Sequence, residues 1–85
     1  MGWLASQLAY EQCKDSVSEL LIAPSTAAFM EFDELSKGKD GNIHYFRGNV
    51  ESENALGVLV VALFECRIGE DETGEYSINS ATVLE

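Results

Sequence analysis

The chain contains one proline, Pro24, and it separates two stretches of different hydrophobic period. Before it, from Trp3 to Ile22, there is neither glycine nor proline. Apolar residues fall at Tyr10, Cys13, Val17, Leu20 and Leu21, a spacing that traces one stripe on a helix. The other face carries Glu11, Gln12, Lys14, Asp15, Ser18 and Glu19. Proline disfavours the α conformation in the residue before it, so a helix over about residues 4–22 should stop at Ala23. Ser25 can cap a short turn through Ala27 and Ala28. Phe29 should then fold back onto the end of the stripe.

After the proline the period changes. Residues 30–42 read as a connection, ending in the turn-forming run Lys37-Gly38-Lys39-Asp40-Gly41-Asn42. A first strand starts at Ile43 and ends near Glu53, with Ile43, Tyr45, Phe46 and Val50 as its β-type residues. Asn54 to Gly57 is a hairpin loop or bulge. The second strand, Val58 to Ile68, presents Val58, Val60, Ala62, Phe64, Cys66 and Ile68 on one face, an unbroken apolar row. Gly69 to Gly74 is an acidic turn, and a third strand runs from Glu75 to about Val83. The expected fold class is α+β: one N-terminal helix packed on a three-stranded antiparallel meander with the second strand central. The expected core is Tyr10, Cys13, Val17, Leu20, Leu21, Phe29, Val60, Ala62, Phe64 and Ile78.

The order of elements and three sequence stretches resemble a family of small bacterial and phage domains. These are the helix end Ala23-Pro24-Ser25-Thr26-Ala27-x-Phe29, the segment Gly48 to Gly57, and the strand Leu63-Phe64-Glu65-Cys66-Arg67-Ile68. The match spans roughly Cys13 to Val83. The resemblance implies a domain that often follows a membrane or lipoprotein anchor, and it brings no activity with it.

The second strand departs from that pattern. Its outer face should be polar, yet Leu59, Val61 and Leu63 stand there, with charge only at Glu65 and Arg67. One helix covers one face of a small sheet, so this second apolar row needs another cover. Two covers are open: the chain's own Trp3-Leu4 region or 30–42 connection, or a second chain. On the second reading the interface comprises Leu59, Val61 and Leu63, extended by Ile43 or Tyr45.

The chain's 85 residues form a single domain, residues 1–85, whose core is small enough for a covalent staple to matter. Cys13 lies on the helix stripe and Cys66 on the apolar strand face, so both point into one layer. They are placed either to bridge or to sit as two buried thiols acting as small hydrophobes. A bridge would point to an extracytoplasmic compartment, and free thiols to the cytoplasm.

Fifteen acids against five bases give a net charge of −10, which opposes direct nucleic-acid binding. No segment reaches the roughly 18 apolar residues of a membrane span. His44 is the only histidine and reads as a solvated strand residue. Glu70-Asp71-Glu72 with Glu75 lacks the spacing of a calcium loop. No paired carboxylates, phosphate loop or metal spacing point to an enzyme, a cofactor, catalytic residues or metal ligands. The expected function is a non-enzymatic interaction module that self-associates or docks a protein partner through the outer sheet face. The alternative is an acidic phage-type inhibitor or immunity protein occupying a basic cleft.

Overall fold

The computed structural model describes residues 2–84, with side chains described from residue 7 onward. It is an α+β domain: helix α1 (Gly2–Ser18), then strands β1 (Ala28–Phe29), β2 (Ser36–Asp40), β3 (Ile43–Glu53), β4 (Leu59–Glu70) and β5 (Tyr76–Leu84). All pairings are antiparallel. The order is β1-β3-β4-β5, with β2 also on β3, so β4 is interior as its two apolar faces require.

The sheet has five strands, not three. One of the extra two, β2, comes from the 30–42 segment read as a connection, and the other, β1, from the turn and fold-back that end at Phe29. Gly41, at φ 60, closes a tight hairpin that lays β2 along β3. Ser36-Lys37-Gly38-Lys39-Asp40 has no apolar alternation, and every residue of β2 is exposed. Its strand character comes from the open edge of β3 rather than from its own side chains. Two lysines on that edge discourage pairing with another chain.

The helix ends four residues early. The amides of Leu20 and Leu21 bond three residues back, to the carbonyls of Val17 (2.9 Å) and Ser18 (3.1 Å). That tighter turn advances each residue further around the axis than an α-turn does. Leu21 is thereby buried at 7% exposure, whereas Leu20, expected in the core, stands 54% exposed. The Pro24–Thr26 turn has no side-chain cap, contrary to the role expected of Ser25. Thr26 does the local work instead. Its hydroxyl donates to the Ala23 carbonyl (2.7 Å) and accepts from the Glu53 amide (2.9 Å), tying the turn to the end of β3.

One apolar layer lies between α1 and the sheet. Ala9, Tyr10, Cys13, Val17 and Leu21 meet Phe46, Val50, Ala62, Phe64, Cys66 and Ile68, with Leu35 closing one side. Tyr10 sits among Phe46, Phe32 and Phe64, with ring centroids at 5.4, 6.0 and 6.4 Å. Its hydroxyl donates to the Met30 carbonyl at 2.8 Å, which gives a buried phenol its partner. Burial, helped by Glu11 and Glu31, pushes that phenol up to about 12. Phe29 packs edge-on against Phe64 at 5.5 Å, the fold-back expected of it. Gly48 is required by this packing: a Cβ there would lie 2.6 Å from Leu35 Cδ2 and 3.3 Å from Phe64 Cζ.

Two further core assignments need correction. Ile78 pairs with Ile68 but stays 43% exposed. The register slips between Arg67 and Ile68, leaving Asn79 as an extra residue, and β5 is an edge strand there. Val60 is only half-buried, because β5 begins to pair with β4 at Leu63 and leaves the Leu59–Ala62 stretch flanked on one side alone.

Cys13 and Cys66 are bridged, with sulfurs 2.04 Å and Cα atoms 5.8 Å apart. The bridge pins the middle of α1 to the middle of β4 across 53 residues of chain. A loop of that length contributes about 4 kcal/mol in the chain-entropy treatment. The double substitution Cys13→Ser with Cys66→Ser should therefore lower unfolding stability by about 4 kcal/mol in urea titration. Native protein should be two hydrogens lighter in mass spectrometry than its reduced form.

Candidate interaction surface

The pleat sends alternate residues of β3 and β4 to the outer face, away from α1. On β4 these are Leu59, Val61, Leu63, Glu65 and Arg67, and on β3 Glu53, Glu51, Asn49, Arg47, Tyr45 and Ile43. Leu59, Val61 and Leu63 stand 59%, 58% and 52% exposed. The 30–42 connection does not cover them. It extends the sheet sideways as β2 and turns back at Phe32–Glu34. The side chains of Trp3 and Leu4, the other expected cover, lie outside the described residues.

The face has two unlike ends. At one end Leu59 and Val61 stand beside Glu53 and Glu51, their cross-strand partners. Ala28 of β1 adds to this end through its pairing with Glu51. In the middle Leu63 lies between Asn49 and Leu84. Leu84 is 63% exposed and lengthens the apolar row. Sequence reading missed it, although β5 alternation from Ser80 through Thr82 points it outward.

At the other end Arg47 faces Glu65. Its Nε donates to Glu65 Oε2 at 3.0 Å, and its Nη2 donates to the same oxygen. The Arg67 guanidinium lies over the Tyr45 ring at 5.4 Å and makes no ion pair among the described residues. These side chains and Ser36 border a shallow depression of about 350 Å³. Ile43 and Tyr45 thus share the outer face with the leucine row but are separated from it by the Arg47–Glu65 pair. Both are half-buried.

His44 is not a solvated residue. It is 1% exposed on the core side, stacked parallel to Phe46 and set edge-on to Tyr76. Its Nε2 lies 3.0 Å from Glu70 Oε1, and its Nδ1 has no partner among the described residues. The carboxylate accepts, so Nε2 is the donor. The histidine ring is thereby oriented against one carboxylate. This orientation positions Glu70, whose second neighbour is Lys39 at 3.7 Å.

The acidic turn is stitched internally. Asp71 Oδ1 accepts from the Thr73 amide and hydroxyl (2.9 and 2.7 Å) and from the Glu75 amide (2.9 Å). Those bonds hold the Asp71 carboxyl below its ordinary range. Among the described residues no group of three or more His, Cys, Asp or Glu side chains is placed to hold a metal ion. No helix among them is long and apolar enough to cross a membrane. Comparison of the chain with family models, curated proteins and solved structures returned no match.

The hydrogen bond from His44, assisted by Lys39, lowers the Glu70 carboxyl below its ordinary 4.5. A carboxyl depressed in the folded state adds stability above its unfolded value and loses it as pH falls through the folded value. Urea midpoints should therefore drop below about pH 4.5, and Glu70→Gln should remove part of that drop. Asp71, depressed in the same direction, leaves a remaining acid slope in the variant. An unchanged slope in Glu70→Gln would exclude the pair as an electrostatic contributor.

Proposed function

We propose that this domain is a non-enzymatic interaction module that self-associates through the outer face of its sheet. The observation that supports it is the Leu59–Val61–Leu63 row, more than half exposed at each position and extended by Leu84. Burying an aliphatic side chain of this size is worth about 1.5–3 kcal/mol. A domain of this size rarely leaves a contiguous apolar strip in water unless something docks on it. The rest of the surface supports the same reading. Residues 55–64 and 76–84 carry no charge in a chain of net −10, and the two runs are neighbours where Leu63 pairs with Leu84. Like-charge repulsion between copies is least where they would meet.

The Cys13–Cys66 bridge fits a domain working in an oxidising compartment, where such bonds persist. This agrees with the anchor-proximal setting that the family resemblance implies.

Val61→Glu tests the reading. It adds a charge to the outer row and leaves the helix-facing core untouched. The wild type should have a dimer's mass in light scattering at tens of micromolar. The variant should be monomeric, with unchanged circular dichroism. A wild type that stays monomeric at about 1 mM, where even weak association of about 4 kcal/mol would populate a dimer, refutes self-association.

A further inference from the structure

Resting on that self-association reading, we infer that the two copies pack outer face to outer face with their strands antiparallel. A two-fold axis then passes across the strands at the level of Asn49, Leu63 and Leu84. Four exposed aliphatic residues are too few for a specific interface, which takes about 20–30 residues a side and about 800 Å² from each partner. That area is about 15% of the 5437 Å² surface of this domain. The apolar row must therefore bring the charged end of the face with it.

The charged ends fix the orientation. Glu51 and Glu53 flank the apolar end and make no ion pair among the described residues. Arg47 and Arg67 stand at the opposite end, where Arg67 has only the Tyr45 ring. A two-fold axis along β4 would set Arg67 on Arg67 and Glu65 on Glu65, and one running between β3 and β4 would set Glu51 and Glu53 on Val61 and Leu59, burying both carboxylates without a cation. Turning the axis across the strands sets Glu51 over the second copy's Arg47. Glu53 then comes over its Tyr45 and Arg67, and the same contacts repeat at the other end. Leu63 meets Leu63 at the centre. Leu59 lies on the second copy's Arg67 stem, apolar along its length, beside its Tyr45 ring, and Val61 comes over its Glu65, whose carboxylate Arg47 holds. Facing sheets cross at about 30°, and a long arginine side chain spans that offset.

The test uses a distance within one copy. Glu53 pairs with Leu59, and Leu59 is eight residues from Arg67 on β4, or about 27 Å. Side chains that far apart do not couple inside a protomer, so any coupling between them passes through the interface. Glu53→Lys and Arg67→Glu should each weaken dimerisation about tenfold in analytical ultracentrifugation, with unchanged circular dichroism. The double variant should return to within about threefold of the wild type, because each swapped charge meets its swapped partner. Glu51→Lys with Arg47→Glu, four residues or about 13 Å apart along β3, is a second pair, for use where the change at Glu53 disturbs the turn at Thr26. Additive losses in the double variants overturn the antiparallel arrangement, as do single variants that dimerise like the wild type. If Val61→Glu dissociates the dimer while the charge swaps fail to restore each other, the face is right and the orientation wrong. A monomeric wild type removes both.

Discussion

One helix can cover only one face of a sheet, and most of this structure follows from that limit. The chain commits α1 to the face that carries Ala62, Phe64, Cys66 and Ile68. Five aromatic residues gather there, Tyr10, Phe29, Phe32, Phe46 and Phe64, each packed against at least one other. Among the described residues nothing comparable lies on the other side. The outer face of β4 is as aliphatic as an inner one along Leu59, Val61 and Leu63, and it has no helix. A small domain has few apolar residues to distribute. Three of them placed outside the core are the basis of the proposal that this face serves association.

The core face is held by complementary means. The Cys13–Cys66 bridge restricts the unfolded chain, while the Tyr10 hydroxyl and the Thr26 hydroxyl fasten the stretch that follows α1. These polar ties act on the segment between the helix and β2, which supplies Leu21 and Leu35 to the core. Gly48 adds a steric condition, letting Leu35 and Met30 approach β3 closely enough to close the core. Sheet order and helix position are thereby set without any contribution from the outer face. That face is free to carry residues chosen for contact.

The legible parts of the sequence were those with a strong period. The helix stripe through Tyr10, Cys13 and Val17 and the alternation of β4 placed the two layers and the bridge between them. The less legible parts lacked such a signal. β2 has no apolar residue, and its pairing is decided by the unfilled edge of β3 and the Gly41 hairpin. Leu20 and Leu21 are adjacent, and a shift from α to tighter turn geometry after Val17 chooses between them. His44 was misjudged because β3 alternates Ile43, Tyr45 against His44, Phe46, two faces of similar polarity. Only the register with Ile68, Cys66 and Glu70 shows which is inside. On the outer face the row on β4 was legible, but the residues beside it were not. Antiparallel register places Glu51 and Glu53 next to the leucines and moves Tyr45 to the arginine end.

That register gives the outer face its chemical character. Had Tyr45 and Ile43 flanked Leu59 and Val61, the face would be a symmetric greasy patch, able to dock in any orientation. Instead its apolar end is bordered by carboxylates and its far end by guanidinium groups. Hydrophobic burial supplies attraction without direction, and the charges supply direction with little net attraction between exposed groups. The chain as a whole opposes association by its charge of −10, a repulsion that added salt screens. The same salt weakens local pairs between the two ends. On the proposed reading, the opposed effects leave self-association only weakly dependent on ionic strength, unlike a protein that fills a basic cleft with its acids, whose binding weakens steadily as salt rises.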